Sequence, residues 1–406
     1  MSLFADGAPL ALRLGNRNGS KRRCSSSSSS GAAAASSSTR SRSYSSSGSF
    51  SGLGKESSSS SSVAPGDGAR AFLSLPEIAS LASHEAFDEE MEMVVDSYCS
   101  SDANATIFVG QSEAACVVAP HFGSCCVGSD DATTCIIVLL RAVILKKNTA
   151  TGENEKQIRL AAAHVDSAST ARDHTVQIVN ELLFGAPDDV VVSTSNSDDE
   201  HHDNAAGDPV VEVHLVGGFG FPSASAAKNG GEGPEKTSAE VLEGILVALS
   251  SLRGIAFNIK TARVLSLNTS ADGRRPLHMG ACLDAVTGRC TPAHFTAASR
   301  PQNALRHLLL WFKDDNENND KAPSWITERG RRMYPPVLRV MPFSWPREPP
   351  YWAIAIAQIS DEEILRHFST SPNCEPEDFC SSLREMVAYM LQNDSAAVFR
   401  DGPVFF

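Results

Sequence analysis

Residues Gly128-Ser129-Asp130-Asp131-Ala132-Thr133-Thr134 are small or polar, and Cys135 opens a branched apolar run, Ile136-Ile137-Val138-Leu139-Leu140. No other stretch constrains the chain as tightly. The run demands a buried strand or helix, and the polar loop delivers Cys135 to the mouth of that element. A thiol in such a place is held still and remains reachable, which makes Cys135 a candidate nucleophile. The competing reading is a packed structural thiol, since free Cys is among the most buried residue types. The near-continuous apolar segment Cys135 to Leu145 is interrupted by Arg141 and is too short to cross a bilayer, so no membrane span is expected.

The 406 residues are not uniform. Residues 1 to 15 open with a short apolar strand. Residues 16 to 65 are Ser-rich, basic and almost free of acids, and cannot bury enough surface to offset their chain entropy. They read as a disordered insertion, with an organellar transit peptide as the alternative. Residues 66 to 406 then form one large domain of about 300 residues once polar loops are discounted. Those loops fall near 146–157, 186–209 and 222–236. His201, His202 and Asp203 lie in the second of them, where nothing rigid would hold a metal, so no metal site is assigned. The net charge of -13 excludes a general nucleic-acid binder. None of the ten cysteines forms a C-x-x-C pair, which excludes a zinc ribbon or thioredoxin-type site. No secretory signal is read, so reduced thiols are expected. Cys282 and Cys290 flank a hairpin candidate and are expected to face each other.

Strand candidates are Ile107–Val109, Ala115–Val118, the run after Cys135, Gln157–Val165, Val210–Val216, a hairpin from Gly254–Lys260 and Ala262–Leu267, and Val337–Phe343. Helix candidates are Pro76–Tyr98 (as one helix or two), Thr170–Phe184, a helix capped by Thr237-Ser238, Arg300–Phe312, one starting at Ser360, and one opened by Pro376. The irregular alternation predicts an α/β (α+β) fold with a mostly antiparallel sheet flanked by helices. Gly217-Gly218 ends a strand and is not a phosphate loop, because no Lys-Ser/Thr follows and the G-x-G-x-x-G spacing is absent.

Gly128-Ser-Asp-Asp-Ala-Thr-Thr-Cys135, Val213-His-Leu-Val-Gly-Gly-Phe219, Gly254-Ile-Ala-Phe-Asn-Ile-Lys-Thr261 and Ser369-Thr-Ser-Pro372 together resemble the protein N-terminal asparagine amidohydrolases, in the same order along the chain. Met1-Ser-Leu-Phe-Ala-Asp-Gly7 is similar to that family's start, although the family carries Pro where this chain has Ser2. The similarity favours the insertion over the transit peptide, because cleavage would remove a strand of the domain.

The resemblance implies hydrolysis of an N-terminal Asn side-chain amide to Asp, without cofactor or metal, feeding the arginine branch of the N-degron ubiquitin pathway. The implied partners are proteins or peptides with N-terminal Asn, with no nucleic acid or membrane. The expected state is a cytoplasmic or nuclear monomer. The family is also similar to cysteine-histidine protein deamidases. On that footing Cys135 is the nucleophile, and His164, in a His-x-Asp pattern at the end of the next strand, is the base and acid. Ser129 orients His164. The backbone N–H groups of Thr133 and Thr134 stabilise the oxyanion. Asp130, Asp131 and Asp166 are the candidate carboxylates for the substrate α-ammonium. His214 is expected to pack in the core, and Asn258 and Trp345 are candidates for the pocket wall. The competing functions are a protein-glutamine deamidase acting on internal residues and a non-catalytic N-terminal-Asn binding protein.

Overall fold

The apolar run after Cys135 is the spine of the molecule. In the computed structural model of the chain, Ile136, Ile137, Val138, Leu139 and Leu140 are all fully buried in one twelve-residue strand. Each buried side chain of this size contributes about 1.5–3 kcal/mol relative to exposure. The structure describes residues 2–5, 8–9, 67–82, 87, 93–96, 104–119, 124–147, 153–185, 209–220, 234–312, 324–325, 339–340, 342–369 and 371–405.

In chain order the strands are β1 (Ser2–Ala5), β2 (Ala8–Pro9), β3 (Met93–Val95), β4 (Asn104–Phe108), β5 (Glu113–Val118), β6 (Ser124–Ser129), β7 (Ile136–Lys147) and β8 (Asn154–Val165). They continue with β9 (Val210–Gly217), β10 (Ala256–Val264), β11 (Ala281–Asp284), β12 (Cys290–Phe295) and β13 (Ser324–Trp325). The helices are α1 (Asp67–Leu73), α2 (Pro76–Ala82), α3 (Ala168–Phe184), α4 (Pro234–Ser251), α5 (Asn303–Phe312), α6 (Tyr351–Gln358), α7 (Asp361–Phe368), α8 (Phe379–Gln392) and α9 (Ser395–Val398).

An eight-stranded sheet has the order β13-β5-β8-β7-β9-β10-β1-β2, and a five-stranded sheet the order β3-β12-β11-β6-β4. The large sheet is antiparallel through its centre, where β5, β8, β7 and β9 pair. It turns parallel at β9–β10 and β10–β1. Helices α3 and α4 pack on one face of β7. The other face carries Cys135, Ile137 and Leu139, which join one core with residues of β6, β11 and helices α5 to α8. The fold is therefore α+β, with the site strand buried on both sides.

Local signals account for several boundaries. Pro76 is the first residue of α2, where its missing N–H costs nothing. Ser360 and Glu363 form a reciprocal capping box at the start of α7. Other expectations are corrected. The predicted hairpin across residues 254–267 is one strand, β10, with a register shift between Ile259 and Thr261. Lys260-Thr261 offers no turn residue, so the chain bulges and continues. Cys282 pairs with Thr291 and Cys290 with Leu283, so the two thiols lie on opposite faces and do not meet. Helix α4 begins at Pro234, which places Thr237-Ser238 inside it instead of at its cap. Helix α5 begins at Asn303 and α8 at Phe379. Lys147 and Asn154 are paired strand residues, so the loop between β7 and β8 is narrower than 146–157. Arg339–Val340 pairs with Val404–Phe405. The calls on residues 16–65 and on His201, His202 and Asp203 fall outside the described residues.

Gly128 shows how tightly the strands of the five-stranded sheet approach one another at the motif. A Cβ there would come within 2.5 Å of Ala281 O and 2.6 Å of the Phe295 ring. Gly128→Ala should lose about 1–3 kcal/mol of stability through overpacking, read as a lower urea midpoint. An unchanged midpoint would show that β6 and β11 separate without cost.

Candidate active site

Cys135 immediately precedes β7, and Ile137 of β7 pairs with His164 of β8. Residues directly opposed across an antiparallel pair point to the same side. Cys135 and His164 therefore share a face as diagonal neighbours, a spacing that long side chains bridge.

The loop that carries Cys135 is fixed on several sides. Asp131 adopts a φ of 60°, and Thr133 N donates to Asp131 O at 3.0 Å, closing a tight turn. Ala132 N donates to Met279 O at 2.9 Å, and Ser238 Oγ donates to Thr134 O at 2.8 Å. The hydroxyls of Ser371 and Thr133 are hydrogen-bonded at 2.8 Å. Gly217, with φ 109°, closes the remaining side: a Cβ there would stand 2.7 Å from Cys135 O and 2.9 Å from Ala132 Cβ. Only glycine satisfies both the conformation and the contact.

His164 is 3% exposed. Ser129 Oγ donates its single hydrogen to Val109 O at 2.6 Å. The 2.9 Å contact between Ser129 Oγ and His164 Nδ1 is then satisfied only with Nδ1–H as donor. This fixes the tautomer and leaves the lone pair on Nε2, which is buried and has no hydrogen-bond partner. Burial pushes the His164 pKa down to about 4, against the pull of Asp166 and Glu113, so the ring is a neutral base at neutral pH. Burial raises the Cys135 thiol, and the charges of Asp166 and Glu375 add to the effect, while a hydrogen bond from Thr134 opposes it. The pair is thus a thiol beside a neutral imidazole.

The three aspartates singled out from the sequence are engaged differently. Asp130 is buried; its Oδ2 accepts from Phe295 N and from Arg300 Nη2, both at 2.7 Å, while Oδ1 has no partner. Burial, then repulsion from Asp131, raises the Asp130 pKa well above the usual carboxylate range, and Arg300 opposes this. Asp131 lies 2.9 Å from Arg300 Nη1. Asp166 accepts from Ser112 Oγ at 2.5 Å and Gln111 Nε2 at 3.1 Å, and so ties the loop after β4 to the end of β8.

A cavity of about 140 Å³ opens beside these groups. Its wall includes His164, Asp130, Asp131, Arg300, Glu113, Arg306, His307, Trp311, Glu375 and Asp378. Cys135, Thr134, Ser129 and Asp166 are not part of that wall. Arg300 holds Asp130 and Asp131 and approaches Asp378 at 3.6 Å. Arg306 forms a two-armed buried pair with Glu113 and donates to Phe108 O at 3.2 Å. The Phe108 ring lies 5.1 and 5.0 Å from the two guanidinium carbons. Among the described residues no cluster of metal-ligating groups is found.

Reading the sequence did not single out Arg300, Arg306, His307 or Glu375. Only Glu375 carried a signal, standing just after Ser369-Thr-Ser-Pro372, whereas Arg300, Arg306 and His307 lie far from every recognised stretch. His214 is buried, with Nδ1 at 2.9 Å from Thr261 Oγ1 and its pKa pushed down to about 3 by burial. Trp345 packs against Phe343 and Phe399 and donates to Asn393 O at 3.1 Å. Neither Trp345 nor Asn258 belongs to the cavity wall, which corrects that expectation. Trp345 lies in the connection before α6 and Asn258 in β10.

Residues 97–406 match the family model described as Protein N-terminal asparagine amidohydrolase. The chain is similar to the Protein N-terminal asparagine amidohydrolase of Arabidopsis thaliana, 27% identical over 277 residues, which covers 66% of this chain and 68% of that one. It is also similar to the protein of the same name in Sus scrofa, 26% identical over 289 residues (70% and 74% covered), and in Mus musculus, 24% identical over 330 residues (80% and 87% covered).

His307 gives a stability prediction. Burial pushes its pKa from 6.5 down to about 4, with Arg306 adding to the shift. Above pH 6.5 neither the folded nor the unfolded state carries the proton. Below it the unfolded chain takes up a proton that the folded protein refuses, so stability falls as pH drops toward about 4. His307→Gln should therefore lose less urea resistance than the wild type between pH 6.5 and about 4. Equal slopes for the two proteins would contradict a neutral, buried His307.

Proposed function

Since the chain belongs to the protein N-terminal asparagine amidohydrolase family, we propose that it hydrolyses the side-chain amide of an N-terminal Asn to Asp and releases ammonia, through a thioester on Cys135. One observation carries this reading. His164 presents an unpartnered, neutral Nε2 at the wall of an acidic cavity, on the same sheet face as Cys135.

An amide is a poor electrophile, so the reaction needs a strong nucleophile, a proton for the leaving group and a stabilised oxyanion. His164 Nε2 takes the Cys135 proton, and the thiolate attacks the side-chain carbonyl carbon. Rotation of the thiol about Cα–Cβ, from one staggered position to another, is the smallest movement that brings it to the cavity. Ser129 and Val109 O hold the imidazole so that only Nε2 is available, and the charged ring that forms still donates Nδ1–H to Ser129. Thr133 N–H is already donated to Asp131 O, so Thr134 N–H is the better oxyanion donor. Imidazolium then protonates the departing nitrogen, the C–N bond breaks and ammonia leaves. Water, deprotonated by His164, cleaves the thioester, giving the Asp carboxyl group and the free thiol. Asp131 contributes to the negative field at the cavity, while Asp130 and Asp166 support the loops around it.

The product, an N-terminal Asp, is the chemistry that the arginine branch of N-degron ubiquitin-dependent degradation consumes, and we place the enzyme at that step. A cytoplasmic or nuclear setting goes with this role. Among the described residues no helix is long and apolar enough to cross a membrane.

An Asn-initiated peptide incubated with the wild type should gain the mass of amide-to-acid conversion and release ammonia. Cys135→Ala should lower kcat by at least about 10³-fold, and His164→Gln by about 10²–10⁴-fold. Cys135→Ser should lose most of the rate too, since a neutral hydroxyl is a far weaker nucleophile. Release of ammonia from an internal-Gln peptide, with none from the Asn-initiated one, would replace this function with protein-glutamine deamidation.

A further inference from the structure

The face that α5 turns to the cavity repeats at helical spacing: Asn303, Arg306, His307, Leu310 and Trp311. On the opposite side, Leu305 and Leu308 are fully buried in the core. The cavity face changes character along its length. It opens with an amide, a guanidinium and an imidazole, and ends with two large apolar side chains. Arg300, just before α5, approaches Asp378, just before α8, at 3.6 Å, so both helices start from the charged end of the cavity. From α8, Phe379 and Leu383 add to the apolar lining.

Trp311 is held from behind. Its ring stacks on Trp352, with centroids 4.3 Å apart and planes 28° from parallel, and lies 6.1 Å from the Phe368 ring. Trp352 and Phe368 pack against the core, while Trp311 keeps 38% of its surface exposed. A single exposed apolar residue needs no explanation. This one borders a cavity whose wall also holds His164, buried and with an unpartnered Nε2. The lining residues most open to solvent are Gln111 and Trp311, which marks the mouth. Gln111 Nε2 donates to Asp166, and Trp311 is the apolar surface offered there. A chain whose first residue reacts at His164 has to leave through that mouth. His307 and Trp311 stand about one turn apart on α5, or about 5.4 Å. One extended residue advances a peptide by about 3.3–3.6 Å, and its side chain spans the rest.

We propose that Trp311 and Leu310 receive the side chain of the substrate's second residue and select large apolar side chains there. The proposal rests on the N-terminal amidohydrolase reading of this site. A Leu or Phe laid on the indole removes apolar surface of both partners from water. The stack on Trp352 fixes the ring before binding, so little freedom is lost when the side chain arrives. Glycine at that position covers nothing.

The test compares two peptides that differ only in the second residue, Asn-Leu against Asn-Gly, by calorimetry in the Cys135→Ala protein, where turnover does not interfere. The Asn-Leu peptide should bind about 10-fold tighter, the low end for an apolar group in a pocket, since this site is half open. Adding Trp311→Ala should bring the two affinities together, and Trp311→Phe should keep part of the difference. Leu310→Ala leaves the aromatic stack in place and should also shrink the preference, so the outcome does not hang on how the Ala protein folds. The ratio between peptides is the readout, because a general loosening of the fold would weaken both alike. An undiminished ratio in the Trp311→Ala and Leu310→Ala proteins, or equal affinities before either change, overturns the proposal. Ammonia release by the wild type separates the two claims. Release from both peptides with no binding preference leaves the activity standing without the subsite. A Trp311-dependent preference without ammonia release leaves the subsite standing without the activity. No binding and no release overturns both.

Discussion

The register of β7 against β8 governs everything that can happen at Cys135. Ile137 opposite His164 puts the thiol and the imidazole on one face, and a slip of one residue would send them to opposite sides of the sheet. The register is well specified because β7 is buried on both faces. Any slip would also move Leu139 and Leu140 out of the places they fill against β11 and α3. Packing energy thus pins the geometry of a polar pair that contributes little to stability by itself.

Around that pair the protein meets the cost of buried charge in two ways. Arg306 and Glu113 neutralise each other through two hydrogen bonds and also satisfy Gly110 N and Phe108 O. Removing one partner of such a pair typically costs about 3–5 kcal/mol, because the other charge is stranded. Arg300 instead serves several carboxylates at once, Asp130 most closely. The Phe108 ring lies beneath both cations and keeps the two groups apart in the wall of the cavity.

The connection from the C-terminal helices to the nucleophile loop is short. Ser371 links Thr133 to Glu375 through its hydroxyl, and Glu375 leads into the turn before α8. Helices α5 to α8 pack on the same core as Cys135. Of these, α5 and α8 line the cavity as well as covering the sheet.

The sequence by itself determined the spine and the candidate residues on it. A branched run after a polar loop had to be a buried strand, the polar stretch before Gln157 had to turn, and together these placed Cys135 beside His164. Ser129 was legible as a hydroxyl near the thiol, and the motif carrying both was legible as that of a family. The fate of the carboxylates was not legible, because a carboxylate looks the same in sequence whether or not an arginine distant along the chain meets it. Only the tertiary structure brought Arg300 to Asp130 and Asp131, and Ser112 to Asp166. The same holds for β10, where the apparent hairpin is one strand because its neighbours β9 and β1 run parallel on both sides. Local periodicity fixes which residues are buried. Which charges meet is decided by contacts across more than a hundred residues of chain, and for those the fold alone holds the information.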